Sequence, residues 1–287
     1  MYVLSQCSCC KTDYKTRYGK WAVISGATDG IGLAMARELA RRGHSIVLMG
    51  RSAEKLVNSK ATVESEPNVG EVITVRSDLS DASPENFARI RTEIDPDNRE
   101  IGILINNAGI FPDSFVPFQS HTMESLTGAV NLNEIAILYL THMIIPGMVN
   151  RGKGLVVNVS SMFGNLTGPY VGVYAPTKAF LNNFSQGLRV EYAPLGVDVI
   201  NLTPGPVFTK LFKAANKLDR ATILNPTSEV FARSAINALS TRVDSLCGVA
   251  MHELLLIGGK FMETIGLYNF ILKNSLRHSA KNYSFKP

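Results

Sequence analysis

Short apolar runs alternate with longer amphipathic stretches from Trp21 onward, and this alternation constrains the fold more than any other feature. Six runs predict β-strands, at residues 21–25, 45–50, 71–76, 101–106, 155–160 and 197–202. The stretches between them have helical spacing, at residues 31–42, 53–65, 84–94, 123–150 and 177–192. Several strands lack polar alternation, as strands do when helices cover both faces of a parallel sheet. The sequence therefore predicts an α/β fold with one doubly wound parallel sheet.

Composition narrows the class of protein further. The chain has 287 residues, of which 45% are hydrophobic and 18% charged, so a disordered or fibrous chain is excluded. The four cysteines, Cys7, Cys9, Cys10 and Cys247, suit neither a disulfide framework nor a metal site. The net charge of +5 is partly concentrated at the two ends. We therefore expect no metal and no nucleic-acid partner.

We divide the chain into three parts. These are an N-terminal tail, a Rossmann-type sheet domain and a C-terminal helical extension, at residues 1–18, 19–243 and 244–287. The tail has no long apolar run, so we expect neither a signal peptide nor an N-terminal membrane span. Residues 254–272 are apolar but interrupted by charges, and Lys273, Arg277 and Lys281 follow at four-residue spacing. This extension either lies along an anionic membrane surface or covers its own domain or a homodimer partner.

A glycine-rich segment directly follows the first predicted strand and opens the first helix. In the Rossmann arrangement, such a backbone approaches a dinucleotide pyrophosphate closely, and the amino end of the helix favours its negative charge. The residues concerned are Gly26, Thr28, Asp29, Gly30, Ile31 and Gly32. Glycine patterns also occur in ordinary turns, but the position between strand and helix favours nucleotide binding.

The residue after the second strand indicates which dinucleotide binds. An acidic side chain there would hydrogen-bond a ribose 2′-hydroxyl, as in NAD-binding proteins. Here the strand ends in Gly50 and Arg51, and a guanidinium pairs well with a 2′-phosphate. We therefore expect NADP(H), the alternative being that Arg51 only faces solvent. Asn107, Ala108 and Gly109 after the fourth strand would border the adenine ribose, although they also suit an ordinary turn.

Tyr174 and Lys178 lie four residues apart at the start of the fifth predicted helix, so their side chains share one face. A free tyrosine has a pKa of about 10, and a nearby ammonium lowers the pKa by stabilising the phenolate. Tyr174 could then give a proton to a carbonyl oxygen that the hydroxyl of Ser161 also hydrogen-bonds. A Tyr-x-x-x-Lys pattern alone is usually a surface feature, but its position after the fifth strand favours catalysis.

Together these motifs resemble the short-chain dehydrogenase/reductase family over residues 21 to about 210. The resemblance implies that Ser161, Tyr174 and Lys178 are catalytic and that Asn133 supports a proton-relay water. It also implies nucleotide contacts beyond the loops named above, by Asp78, Tyr174, Lys178, Pro204, Gly205, Val207 and Thr209.

Two positions depart from the family pattern. Ser25 stands where the family usually has threonine, which keeps the hydroxyl. Pro176 lies inside the Tyr-x-x-x-Lys step, and proline is tolerated in the first turn of a helix. We expect Pro176 to fix the start of the helix and to leave activity intact.

Within the family, the chain is similar to the branch of 17β-hydroxysteroid dehydrogenases and very-long-chain 3-oxoacyl-CoA reductases, in residues 18–24, 101–104, 146–148 and 248–253. The branch implies NADPH-dependent reduction of a ketone, on a steroid or a long-chain acyl thioester, at the endoplasmic reticulum membrane. Relatives usually carry an N-terminal hydrophobic anchor, which this sequence lacks, so a cytoplasmic location is the alternative. Some members of the branch have lost the tyrosine and are regarded as inactive, whereas Tyr174 is present here.

Aromatic residues in two loops predict a hydrophobic substrate cleft. Phe111 follows the fourth strand, and Phe208 and Phe212 follow the sixth, where the family places its substrate lid. Each of them could instead pack in the core. The main alternative to a reductase is a non-catalytic lipid- or nucleotide-binding scaffold of the same fold, and a third reading is an NAD-linked alcohol oxidase.

Overall fold

The computed structural model describes residues 13–94, 99–111, 117–166, 168, 171–209, 220–239 and 245–268. Its strands are β1 Trp21–Ser25, β2 Ser45–Gly50, β3 Val72–Arg76, β4 Ile101–Asn106, β5 Gly154–Val159, β6 Val197–Leu202 and β7 Ser245–Leu246. They pair in parallel in the order β3-β2-β1-β4-β5-β6-β7. The predicted doubly wound parallel sheet is confirmed.

Helices connect these strands on both sides of the sheet. They are α1 Tyr14–Tyr18, α2 Gly30–Arg41, α3 Ala53–Glu64, α4 Pro84–Ile94, α5 Met123–Val130, α6 Ala136–Asn150, α7 Tyr174–Tyr192, α8 Ser228–Leu239 and α9 Ala250–Thr264. Side-chain caps fix several of their amino ends: Asp29 caps α2, Ser52 caps α3 and Thr122 caps α5. Pro176 is the third residue of α7, in the first turn as predicted.

The core has two halves because successive side chains of a strand point to opposite faces of the sheet. On one face, Ala22 and Ile24 of β1 pack in a cluster with α2 and α8. On the other face, Trp21 and Val23 pack in a cluster with α4 and α6. Helices therefore cover both faces of the central strands, which explains why those strands are apolar throughout.

The helix predicted over residues 123–150 is divided. Asn131–Ile135 form a π-helical turn between α5 and α6, which inserts one extra residue into the turn. Within the described residues, Met123–Asn150 is the helical stretch long and apolar enough to cross a membrane, and half of its most apolar part is buried in the protein. Its second part, α6, packs against β4 and β5 as a core helix.

The described part of the expected N-terminal tail is packed against the domain. Tyr14 and Tyr18 of α1 are buried in the core. Tyr14 donates a hydrogen bond to the carbonyl oxygen of Ile236, and Tyr18 Oη donates to Asp198 Oδ2 over 2.7 Å. Residues 13–18 therefore lie at the amino ends of the strands, beside β6 and α8.

The last strand, β7, was not predicted from the sequence. β7 is only two residues long, and it pairs with Asn201 and Leu202 of β6. Two residues are too few to show a periodic pattern, and their strand conformation comes from these tertiary hydrogen bonds. The extension continues as α9, whose residues His252 and Gly259 are buried.

Candidate active site

A cleft opens at the carboxyl edge of the sheet, where the loops after β1, β4, β5 and β6 meet. The direction of winding reverses between β1 and β4, and ligands of this fold bind at such switch points. The cavity has a volume of about 660 Å³. The predicted nucleotide-binding residues that line it are Gly26, Asp29, Gly30, Ile31, Asn107, Ala108, Gly109, Tyr174, Lys178, Pro204, Gly205, Val207 and Thr209. The structure therefore brings together residues that lie far apart in the sequence.

The loop after β1 is shaped by its glycines. Gly26 and Gly30 have φ angles of +64° and +55°, in the left-handed region that favours glycine. Gly32 has no room for a side chain, because a Cβ there would lie 2.4 Å from Asn107 Nδ2 and from the carbonyl oxygen of Gly26. The loop thus presents bare backbone to the cavity beside the amino end of α2. This cradle fits the pyrophosphate of a dinucleotide.

Ser25 joins the β1 loop to the β4 loop. Its Oγ accepts hydrogen bonds from the backbone N–H groups of Asn107 and Ala108, each over 3.0 Å. Asn107 Nδ2 donates in return to the carbonyl oxygens of Ser25 and Gly26, over 3.0 and 3.2 Å. The hydroxyl group of Ser25 therefore holds the β1 loop against the β4 loop, as the hydroxyl group of a threonine would.

Four predicted nucleotide contacts do not line the cavity: Thr28, Gly32, Arg51 and Asp78. Arg51 is exposed at the end of β2, and no described carboxylate lies within ion-pair distance of its guanidinium. Asp78 is also exposed, and its Oδ1 accepts hydrogen bonds from the backbone N–H and the hydroxyl of Ser80. Thr28 packs its Cγ2 against Gly50. Both charged side chains remain accessible to a nucleotide lying along this edge.

Ser161, Tyr174 and Lys178 converge at the other side of the cavity and all line it. Tyr174 is the first residue of α7, and its side chain hydrogen-bonds Ser161 after β5. The ammonium of Lys178 lies 5.6 Å from the centre of the Tyr174 ring. Lys178 Nζ also donates to the carbonyl oxygen of Val159 over 2.9 Å, which fixes its position.

Burial governs the ionisation of this pair. It raises the pKa of Tyr174, and the hydrogen bond with Ser161 acts in the opposite direction. We expected Lys178 to lower the pKa of Tyr174, but the net shift is upward because desolvation of the phenolate outweighs the other effects. Burial also lowers the pKa of Lys178 to about 8. At pH 7, Tyr174 therefore keeps its proton and most Lys178 side chains keep their charge.

Asn133 lies behind the cavity, in the π-helical turn, and is fully buried. Its Nδ2 donates to the carbonyl oxygen of Ile110 and to Thr177 Oγ1, and its Oδ1 accepts from the N–H of Ile110. A Cβ at Gly109 would lie 3.2 Å from Asn133 Oδ1 and 3.3 Å from Lys178 Nζ. Asn133 and Lys178 therefore approach the same backbone position, with Gly109 between them.

Comparison with known proteins decides the family. The model of the short chain dehydrogenase family matches residues 20–219. This chain belongs to the short-chain dehydrogenase family. Very-long-chain 3-oxoacyl-CoA reductase from Mus musculus is 37% identical over 244 residues, which cover 83% of this chain and 74% of that protein. The branch suggested by the sequence is confirmed.

Two further relatives of this short-chain dehydrogenase are informative. Inactive hydroxysteroid dehydrogenase-like protein 1 from Homo sapiens is 34% identical over 272 residues, which cover 94% of this chain and 81% of that protein. A solved structure, the short-chain dehydrogenase from Sphingobium yanoikuyae in complex with NADPH, matches with a TM-score of 0.71 and 29% identity, covering 85% of this chain and 95% of that one. The family assignment makes the chain an NAD(P)-dependent oxidoreductase that acts on a small-molecule substrate.

The aromatic wall of this dehydrogenase's cleft was only partly predicted. The Phe111 ring contacts Tyr174 edge-on, with 4.7 Å between ring centres. Seven other apolar or aromatic residues of the lining were not predicted from the sequence: Ile110, Val159, Met162, Phe163, Leu166, Pro206 and Tyr268. Phe208 does not line the cavity but bridges to Thr227, and Phe212 lies outside the described residues. Nearness to Ser161 was the one sequence signal that could have indicated Met162 and Phe163.

Proposed function

We propose that this enzyme is an NADPH-dependent reductase of a ketone on a hydrophobic substrate. Of the two candidate substrates, we favour a long-chain 3-oxoacyl thioester over a 17-ketosteroid. The observation that carries the proposal is the convergence of Ser161, Tyr174 and Lys178 at the wall of an aromatic cleft. The similarity to very-long-chain 3-oxoacyl-CoA reductases supports the acyl substrate, since the sequence identity covers most of both chains.

The catalytic residues have separate tasks in this proposal. Tyr174 holds the proton and donates it to the carbonyl oxygen, and Ser161 hydrogen-bonds the same oxygen as its negative charge develops. Lys178 holds a positive charge close to the phenol and favours the transition state in which the phenol loses its proton. Asn133 fixes the backbone at Ile110 and so holds the wall beside Lys178. Bound NADPH supplies the hydride.

The cofactor assignment follows from charge. NADPH differs from NADH by one phosphate, and the exposed guanidinium of Arg51 stands at the end of β2, where Rossmann domains contact that part of the nucleotide. The complex of the Sphingobium relative with NADPH supports this choice.

A substrate screen tests the function. Purified protein is mixed with NADPH and with 3-oxoacyl thioesters of increasing chain length or with 17-ketosteroids, and loss of NADPH absorbance is followed. We expect turnover that improves with acyl length, because longer chains bury more apolar surface in the cleft. Tight NADPH binding without turnover of any ketone would instead favour the non-catalytic scaffold, a reading to which the inactive human relative gives weight.

We further propose that the enzyme works at the surface of the endoplasmic reticulum membrane, in contact with it through α9. Leu254, Ile257, Phe261 and Ile265 are spaced three or four residues apart, and each is more than half exposed. Such spacing places them on one face of the helix. We call these four residues the α9 stripe. Elsewhere on α9, Gly259 packs against Leu166, a residue that lines the cleft.

Charge favours an anionic membrane as the partner of the stripe. The sequence after Glu263 has no acidic residue and contains Lys273, Arg277, Lys281 and Lys286. Apolar side chains followed by basic ones suit a surface of anionic lipid. A lipid substrate would then reach the cleft beside the helix that touches the bilayer.

Vesicle binding tests this contact. The triple variant Leu254→Gln, Ile257→Gln, Phe261→Gln should lower co-sedimentation with phosphatidylserine-rich vesicles by about tenfold or more, because each change removes an apolar contact with lipid. A matched variant, Val57→Gln with Val190→Gln, changes exposed apolar residues elsewhere and should bind as the unaltered protein does. Equal binding by both variants, or no binding by the unaltered protein, would refute the contact.

We also propose that the protein forms a homodimer and that the outer face of α7 is its interface. Phe180 and Phe184 stack there with 5.6 Å between ring centres, close to Pro176. Aromatic residues next to a shallow hollow are typical of the apolar centre of an interface.

A further inference from the structure

His252 is a buried histidine to which the proposed mechanism gives no part. It lies in the first turn of α9 and is fully buried. Its Nδ1 accepts a hydrogen bond from the backbone N–H of Gly205 over 3.1 Å. Its Nε2 lies 3.1 Å from the carbonyl oxygen of Pro206 and 3.2 Å from that of Leu224. One imidazole thus connects α9 to two other segments of the backbone, residues 205–206 and Leu224.

These contacts define the protonation state of the ring. Nδ1 faces an N–H donor and so carries no proton, while Nε2 faces two carbonyl oxygens and so carries one. A neutral imidazole with its proton on Nε2 satisfies every partner. Burial favours the same neutral form by lowering the pKa of His252, while hydrogen bonds with backbone groups and the carboxylate of Glu253 act in the opposite direction.

The segment that His252 holds is a wall of the cleft. Residues 204–207 line the cavity together with Tyr174 and Lys178. Gly205 is enclosed from two sides, because a Cβ there would lie 2.8 Å from His252 Cδ2 and 2.6 Å from Met162 Sδ. Met162 also donates its backbone N–H to the carbonyl oxygen of Pro204 over 2.9 Å. The wall is therefore clamped between the loop that carries Ser161 and the imidazole on α9.

We propose that His252 is a positioning residue that holds the backbone of residues 204–207 in the conformation that binds the nicotinamide cofactor. It links the C-terminal helix to the active site, so the position of α9 and the shape of the cleft are set together. This role of His252 requires that the protein bind a nicotinamide cofactor, as members of its family do. It does not depend on which ketone is reduced.

Three substitutions of His252 remove different hydrogen bonds of its imidazole ring, so their effects can be compared. In His252→Leu, neither the N–H of Gly205 nor the two carbonyl groups have a partner. In His252→Asn, the shorter amide oxygen takes the place of Nδ1 and still accepts from Gly205. In His252→Gln, the longer amide reaches the carbonyl groups and leaves the N–H of Gly205 unpaired. Leu239→Ala is the matched control, since it opens a cavity in the core at the end of α8 and removes no hydrogen bond from residues 204–207.

The measurement is the Kd for NADPH and for NADH by fluorescence titration, with Tm recorded for each variant. We expect His252→Leu to weaken cofactor binding by about tenfold, as an unpaired buried donor would, and His252→Asn to restore most of the affinity. The control should lose Tm and keep its Kd. If His252→Leu does not fold, the comparison rests on the other two, and His252→Asn should bind more tightly than His252→Gln.

Two outcomes would overturn the proposal. One is a Kd in His252→Leu equal to that of Leu239→Ala at a similar loss of Tm, which would leave the histidine a purely structural role. The other is equal affinity in His252→Asn and His252→Gln, which would mean that the bond to Gly205 does not position the wall. Failure of every ketone to react, with these Kd differences present, would overturn the reductase proposal and leave this one standing.

Discussion

Replacing Tyr174 with phenylalanine is expected to lower the rate of ketone reduction by about 10²- to 10⁴-fold, the usual contribution of a positioned acid. The change removes one hydroxyl and keeps the ring, so the edge-on contact with Phe111 at 4.7 Å is retained. The Tyr174 side chain is half-buried, and its hydroxyl group forms a hydrogen bond with Ser161. The expected result is therefore loss of kcat at an unchanged Kd for NADPH, measured by single-turnover kinetics and by fluorescence titration.

Phe163→Leu is the matched control for this variant. Phe163 also lies beside Tyr174, with 6.3 Å between ring centres, but its side chain has no acidic group that could donate a proton. Its replacement should alter KM for the ketone more than kcat, because it changes the apolar wall and leaves the proton donor. Unchanged turnover in Tyr174→Phe would show that another group supplies the proton, and the proposed mechanism would have to be given up.

Replacing Arg51 with aspartate is expected to reverse the preference between cofactors. The affinity for NADPH should fall by about 10- to 100-fold, because a charge-assisted contact with the 2′-phosphate is lost and replaced by repulsion. The affinity for NADH should hold or improve, since a carboxylate accepts hydrogen bonds from the ribose 2′-hydroxyl. Both values come from titration of the purified variant with each reduced nucleotide.

Lys60→Asp serves as the matched control for Arg51. It makes the same change of net charge at a partly exposed position of α3, where the ammonium of Lys60 pairs with the carboxylate of Glu64. If it weakened NADPH binding as much as Arg51→Asp does, the effect would come from the overall charge. A variant at Arg51 that kept its preference for NADPH would place the phosphate contact elsewhere.

Residues whose chemistry depends on local spacing could be predicted from the sequence. The glycine loop opens α2, and Tyr174 and Lys178 are one helical turn apart, so strand and helix assignment alone brings them to the edge of the cleft. The hydroxyl at Ser25 also makes the contacts that the loop needs, because it accepts from two N–H groups and donates to the carbonyl oxygen of Ile105.

Features that depend on distant contacts were not predictable in this way. β7 is a strand because β6 offers it hydrogen bonds, and the π-helical turn inserts one residue without a change of composition. The upward pKa shift of Tyr174 also depends on burial, which the sum of neighbouring loops determines. Tyr268 reaches the cavity from more than ninety positions along the chain after Tyr174, and no spacing rule connects the two.

The docking of α1 has a practical consequence for handling the enzyme. Tyr14 and Tyr18 secure this helix near β6 and α8, at the end of the sheet remote from the cleft. A fluorophore or solid support joined at Asp13 would therefore sit on the far pole of the molecule. In an enzyme immobilised in that orientation, the cleft and the α9 stripe would stay accessible to dissolved substrates and to vesicles.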